Sequence, residues 1–246
     1  MLALITGASG GLGQAFAQKL DEMGYSTVLV GRNEKKLCEL KEKLKNPSET
    51  VVMDLASSRN VKELFERFPQ IDVLVNNAGF GQFGAITESD VVKDEEMIDL
   101  NVKAAYLLQK LYLKELINKK GGIIINVASS AAFMAGPYFA LYYATKSFLL
   151  RASQAASREA KGTGVTVSAF CPGSVDTGFN LVAGTTSSTK PITAEKAAEY
   201  AIKKAFKGKA IIIPTFKMKA AFVMSKLMPE PWLTEFSCHI QRKRMK

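Results

Sequence analysis

Leu2-Ala3-Leu4-Ile5-Thr6-Gly7-Ala8-Ser9-Gly10-Gly11-Leu12-Gly13 begins as an aliphatic run and passes without a break into a glycine-rich segment. The pattern predicts a strand over 2–6 and a helix over 11–23, joined by a tight turn built on the glycines. Glycines here let a ligand approach the backbone, while the helix start offers unpaired N–H groups and the positive end of its dipole. Together these suit a pyrophosphate. The spacing of Gly7, Gly11 and Gly13 departs from the common G-x-G-x-x-G dinucleotide pattern, and a purely structural β-to-α connection would also account for it.

Outward from this turn the alternation repeats. Aliphatic or β-branched runs near 26–30, 50–53, 71–75, 122–127, 164–170 and 209–213 alternate with helical patterns near 33–45, 58–68, 101–119, 138–161, 193–207 and 217–228. Strand, helix, strand in succession implies a parallel sheet with right-handed crossovers. The expected fold is therefore α/β: one Rossmann-type, doubly wound domain spanning 1–246, with about seven strands, helices on both faces and ligands at the carboxyl ends of the strands. Gly121–Thr145 holds no charge over 25 residues, long enough to suggest a membrane span. Its Asn126, Ser129, Ser130, Gly136 and Pro137, and the run Ile123-Ile124-Ile125, read better as a buried strand and its loop. Gly184–Thr189 is a small polar patch that reads as a mobile loop.

Composition narrows the function classes. The chain is 47% hydrophobic and 23% charged, with three cysteines and one histidine, His239. That composition excludes disorder and a disulfide framework, fits a reducing compartment, and leaves no multi-histidine metal site. A Ser-His-Asp hydrolase would depend on His239, which reads as a solvated tail residue. No signal-like segment precedes the first strand, so a cytoplasmic location is expected. The net charge of +10 is uneven: residues 1–200 carry 22 Lys and Arg against 21 Asp and Glu, whereas 201–246 carry 11 against 2.

The second strand ends in Gly31-Arg32. A carboxylate there would accept from the ribose 2′-OH of NAD and repel a 2′-phosphate; none is present at Gly31, and the guanidinium of Arg32 could pair with that phosphate. A solvated loop arginine is the plainer reading. Further along come Asn76-Asn77-Ala78-Gly79, Asn101, Ser129, Tyr142-x-x-x-Lys146 and Pro172-Gly173 with Thr177. With Thr6-Gly-x-x-x-Gly-x-Gly13, these motifs in this order resemble the short-chain dehydrogenase/reductase family, in its subgroup of roughly 250 residues, over most of the chain.

The residues support the chemistry that this resemblance implies. Tyr142 and Lys146, four apart on a helix, share a face. Moving a phenol from a pKa of about 10 towards 7 takes ~4 kcal/mol. An ammonium about 4 Å away supplies roughly that at an effective dielectric near 20. Tyr143 has Ser147 at the same spacing, which leaves Tyr142 the better acid. Read singly, Ser129 could be a turn residue and Asn101 a helix cap. The resemblance makes Asn101, Ser129, Tyr142 and Lys146 a catalytic set. The family's thirteen-residue interval from serine to tyrosine selects Ser129 over Ser130 to bond the substrate oxygen, and Asn101 would hold a water linking Lys146 to solvent.

The resemblance further implies cofactor contacts from Gly7, Ser9, Gly11, Leu12, Gly13, Arg32, Asp54, Leu55, Asn77, Ala78, Gly79, Tyr142, Lys146, Pro172, Gly173, Val175 and Thr177. Asp54 would meet the adenine, Asn76 would lie beside the adenosine half, Lys146 would bond the nicotinamide ribose, and Thr177 would hold the carboxamide. As an isolated residue, Asp54 could equally cap a helix. Cys171 reads as a small buried residue rather than a nucleophile. The expected activity is NADP(H)-dependent hydride transfer, with NADP(H) preferred over NAD(H), on a carbonyl or secondary alcohol. The substrate could be an apolar or acyl ketone or a small polar carbonyl, and a non-catalytic nucleotide-binding scaffold is the alternative. A homodimer or homotetramer through the long helices near 101–119 and 138–161 is expected. No nucleic acid and no metal are expected. About 178–228 should form the substrate loop and variable region. Its Met-rich apolar segment (Phe216, Met218, Phe222, Val223, Met224, Leu227, Met228), set among lysines and followed by a basic tail, could pack on the sheet, wall a lipid-like substrate, or touch an anionic membrane surface.

Overall fold

Residues of the opening strand alternate between two buried faces. Ala3 and Ile5 belong to one apolar cluster, with Phe16, Leu29, Val75 and Phe170, while Leu4 belongs to another, with Val28, Leu74, Leu108 and Ile124. A strand covered on both sides has no face to leave polar, so its sequence reads as a continuous aliphatic run rather than an alternation. The computed structural model describes residues 1–186 and 190–244. Of the polar patch at 184–189, Ser187–Thr189 lie outside the described residues, as do Met245 and Lys246 of the basic tail.

In chain order the elements are β1 (Leu2–Thr6), α1 (Gly11–Glu22), β2 (Ser26–Gly31), α2 (Glu34–Lys41), β3 (Ser48–Val52), α3 (Ser58–Arg67), β4 (Val73–Asn76), α4 (Val91–Ile98), α5 (Ala105–Asn118), β5 (Gly122–Val127), α6 (Ala140–Glu159), β6 (Val165–Phe170), β7 (Val175–Asp176), α7 (Phe179–Val182), β8 (Ile192–Thr193), α8 (Ala194–Ala205), β9 (Ile211–Ile212), α9 (Phe216–Leu227) and α10 (Glu230–Arg242). Seven strands form one parallel sheet in the order β3-β2-β1-β4-β5-β6-β9, and β7 pairs with β8 apart from it. The register runs from Leu2 opposite Ser26 to Thr6 opposite Val30, and Ile5 faces Val75 on the other side of β1. The order reverses between β1 and β4, which opens a crevice at their carboxyl ends where the connections diverge to opposite faces.

Every expected strand is present, and the charge-free span from Gly121 to Thr145 resolves into β5, a 3₁₀ turn at Ser130–Phe133 and the start of α6. Among the described residues no helix is long and apolar enough to cross a membrane. Three features differ from expectation. Residues 91–98 are helical, and a π-turn at Asp99–Ala104 joins α4 to α5, so Asn101 sits in that turn rather than at a helix start. The 230–242 stretch is a helix, with Pro229 as its N-cap residue and Pro231 in its first turn, where proline lacks only an N–H that has no helical partner anyway. His239 is exposed, on that helix rather than in a tail.

Candidate active site

A cleft of about 670 Å³ runs along the carboxyl ends of the strands, from the glycine turn after β1 to the start of α6. Its floor at one end is backbone. Gly7 adopts φ +65°, and a Cβ on Gly13 would lie 2.2 Å from the Gly7 carbonyl oxygen, so α1 can start this close to β1 only without a side chain there. The helix opens on Gly10 with no side-chain cap and no acidic residue in its first turn. Its first N–H groups thus lack a side-chain partner at the edge of a cleft, where an anionic group would satisfy them. Thr6 fixes the neighbouring wall: its Oγ1 accepts from the N–H groups of Asn77 and Ala78, both at 2.9 Å, and Asn77 Nδ2 donates back to the Thr6 carbonyl at 2.9 Å.

Gly7, Ser9, Gly11, Leu12, Gly13, Asn77, Ala78, Gly79, Ser129, Tyr142, Lys146, Pro172, Gly173, Val175 and Thr177 all line this cleft. Five others named from the sequence, Arg32, Asp54, Leu55, Asn76 and Asn101, are not among its lining residues. Arg32 is exposed and faces the Asp54 carboxylate at 3.7 Å, while Leu55 is buried in the core with Val30 and Val61. Asn76 is buried; its amide donates to the Ala105 carbonyl at 2.7 Å and to Asn126 at 3.2 Å, which engages its side chain behind the cleft wall. In their place Asn33 and Lys36 reach the cleft. Asn33 caps α2 by accepting from the Lys36 N–H at 3.0 Å, which sets the start of the helix that carries Lys36.

At the other end the four residues proposed as catalytic come together. A Cβ on Gly79 would lie 2.8 Å from Asn101 Oδ1 and 3.4 Å from Lys146 Nζ, so the absence of a side chain there lets the asparagine and lysine approach one another. Asn101 is buried behind the lining. Its side chain accepts from the Phe80 N–H at 3.1 Å and donates to the Phe80 carbonyl at 2.8 Å and to Thr145 at 3.2 Å. Lys146 donates to the Val127 carbonyl at 2.8 Å and lies 5.8 Å from the centre of the Tyr142 ring. Ser129 Oγ accepts from the Ala131 N–H at 3.1 Å and hydrogen-bonds the Tyr142 phenol.

Burial dominates the ionisation of this pair. Burial pushes the Tyr142 phenol up to about 12, with the hydrogen bond from Ser129 and the charge of Arg244 pulling the other way. Burial brings Lys146 down to about 8. Both charged forms lose hydration, and that loss is the largest influence on each. Cys171 is fully buried and its thiol is pushed up to about 12, again by burial.

Aromatic rings enclose the Tyr142 end. Phe139 stacks on Tyr142 with centroids 4.6 Å apart and Phe179 lies at 5.2 Å. Tyr143 accepts from Gln241 of α10, which engages its hydroxyl. Arg244, just past α10, lines the cleft as well, whereas none of the methionines of α9 does. Burial holds its guanidinium below the usual arginine range against the opposing pull of Tyr143 and Tyr142. Among the described residues the cleft is lined by three cations, Lys36, Lys146 and Arg244, and by no carboxylate side chain.

The profile of a family described as short chain dehydrogenase matches residues 1–187. An uncharacterized oxidoreductase of Staphylococcus epidermidis is 38% identical over 180 residues, which are 72% of this chain and 78% of that protein. A 3-oxoacyl-(acyl-carrier-protein) reductase of Rickettsia typhi is 35% identical over 171 residues, 70% of this chain and 71% of that protein. Among solved structures, a short-chain dehydrogenase from Sphingobium yanoikuyae in complex with NADPH superposes with a TM-score of 0.84 at 25% identity, covering 92% of each chain.

Proposed function

The chain belongs to the short-chain dehydrogenase family of oxidoreductases, and within it we propose an NADP(H)-dependent enzyme that interconverts a carbonyl and a secondary alcohol. The observation that carries this reading is the meeting of Ser129, Tyr142 and Lys146 in one cleft with the glycine turn of β1–α1. The uncapped start of α1 and the close backbone at Gly7 and Gly13 fit a dinucleotide pyrophosphate. A nicotinamide cofactor, when bound, supplies or accepts the hydride.

The chain's own residues manage the proton. Tyr142, protonated through the neutral range, holds a proton at its phenol oxygen for delivery to the substrate oxygen, and takes one back in the reverse direction. Ser129 Oγ, with its backbone donor already in place from Ala131, has its own O–H to donate to Tyr142 or to the substrate oxygen. Lys146 uses one N–H on Val127, which fixes the ammonium and leaves its other donors for a ribose hydroxyl or a water. The Asn101 amide spends both its N–H groups on Phe80 and Thr145, so a water held there toward Lys146 would rest on its main chain or on the remaining acceptor site of Oδ1.

The preference for NADP(H) rests on Lys36 and Asn33 at the cleft edge, on the absence of a carboxylate side chain from the lining among the described residues, and on the NADPH bound by one structural neighbour. A cation within reach of a 2′-phosphate strengthens binding by about 1.5–3 kcal/mol, roughly tenfold or more. Calorimetric titration should therefore find NADPH bound more tightly than NADH, and Lys36→Ala should weaken NADPH about tenfold more than NADH. Equal affinity for the two cofactors in the unaltered protein would refute the preference.

A further inference from the structure

Arg244 is the third cation of the cleft, and beyond the pull of its charge on Tyr142 it has no role in moving the proton. Its guanidinium carbon lies 5.7 Å from the centre of the Phe139 ring and 5.6 Å from that of Phe83, and Phe139 is in turn stacked on Tyr142. Two tethers hold it. Nε donates to the Thr186 carbonyl at 2.7 Å, and Nη1 donates to Gln241 Oε1 at 3.0 Å. Gln241 is itself buried and fixed by its bond to Tyr143. A guanidinium carries five N–H donors in a planar fork, so most of that fork remains after these two bonds. Among the described residues no Asp or Glu forms an ion pair with it.

A cation half-buried against aromatic rings, without an anionic partner, is unfavourable on its own and gains most from an anion that arrives with the ligand. Phe139 lies between Arg244 and Tyr142, Phe179 sits beside Tyr142, and Phe80 and Val182 add further apolar lining, with Tyr143 and Asn180 as polar members. Such a wall fits a hydrocarbon body better than a second polar group. The family profile ends at residue 187, so this cation belongs to a part of the chain outside the family match.

We propose that the substrate is an oxo acid, or the hydroxy acid in the reverse direction, whose carboxylate is received by Arg244 while its carbonyl meets Ser129 and Tyr142. This rests on the oxidoreductase reading and names the substrate class of the same cleft. Arg244 is the specificity-determining residue, the aromatic rings hold the carbon chain, and the distance between the two ends of the cleft selects its length.

The test is steady-state kinetics with saturating NADPH on a ladder of oxo acids of increasing chain length, each paired with its neutral methyl ester. At the matching length the acid should exceed its ester in kcat/KM by about tenfold or more, the size expected of a charge-assisted bidentate contact. Arg244→Gln should remove that advantage chiefly through KM for the acid, and Arg244→Lys should restore part of it. The melting temperature and NADPH affinity of each variant establish that it is folded. Equal treatment of acid and ester, or an acid preference that survives Arg244→Gln, would overturn the assignment while leaving the oxidoreductase reading intact. Reduction of neither acids, esters nor neutral ketones by the folded, NADPH-bound protein would overturn both.

Discussion

Tyr142 and Lys146 lie one helical turn apart on α6, both nearly sealed from water, and burial moves them in opposite directions, the phenol up to about 12 and the ammonium down to about 8. The phenol therefore keeps its proton across the working range. The lysine instead loses its charge as pH rises through about 8, well before an exposed lysine would. A protonated Lys146 is what favours transfer of the phenolic proton to a substrate oxygen, since the phenolate left behind is stabilised by the nearby cation. For carbonyl reduction, kcat/KM should hold level below that pH and decline above it, with a single apparent pKa near 8. A profile flat from about pH 6 to about pH 10 would show that this lysine does not set the rate. The catalytic role of Lys146 and Tyr142 came from the family resemblance, but that they share a face was legible from their spacing, because a helix fixes which residues lie together. Their ionisation was not, because it depends on how many other elements close over them.

At the scale of elements, the β1–turn–α1 unit is where local sequence and tertiary demand coincide. A methyl group on Gly13 would lie 2.2 Å from the Gly7 carbonyl oxygen and 2.9 Å from the Ala8 Cα, both of them backbone atoms that cannot swing aside. Gly13→Ala should therefore push α1 away from β1, costing about 1–3 kcal/mol of stability and most of the NADPH affinity. A melting curve and a cofactor titration on that variant check both, and unaltered values would mean that the turn is looser than its glycines imply. The strands and most of the helices follow from the same kind of local pattern. The exceptions are instructive. α4 opens on Asp90, a sound N-cap, but spans only eight residues and buries a single one, Met97, so it lacks a periodic apolar face to reveal it. α10 buries Leu233, Ser237 and Gln241, a stripe with one apolar member, among residues that read as a basic tail. Lys36 and Arg244 were missed as site residues because nothing in their own segments points to the cleft; only the folding of α2 and α10 onto it does.

Across the whole molecule, the sheet order brings the glycine turn of β1 and the loops after β4, β5 and β6 to one edge, so residues from Gly7 to Thr177 share a single cleft. The strongly basic last fifth of the sequence divides its work. β9 extends the sheet beside β6, α8 packs against α1, α9 sets Met218 and Phe222 against a small cluster with Phe133, and α10 closes over the aromatic end of the cleft. Phe216, Leu227, Trp232 and Phe236 remain exposed on the last two helices, and an exposed ring pair, Tyr106 with Phe148, marks the helices α5 and α6 expected to carry subunit contacts. The account centres on a hydride passing at the Tyr142 end of this cleft. The most direct measurement is to supply NADPH carrying deuterium at C4 of the nicotinamide, on the transferred face, together with the oxo acid ladder, and to weigh the alcohol by mass spectrometry. The account predicts an alcohol bearing deuterium at the former carbonyl carbon with the unaltered protein, and little or none with Tyr142→Phe despite bound NADPH. Bound cofactor with no deuterium delivered to any carbonyl, or delivery undiminished in Tyr142→Phe, would contradict it.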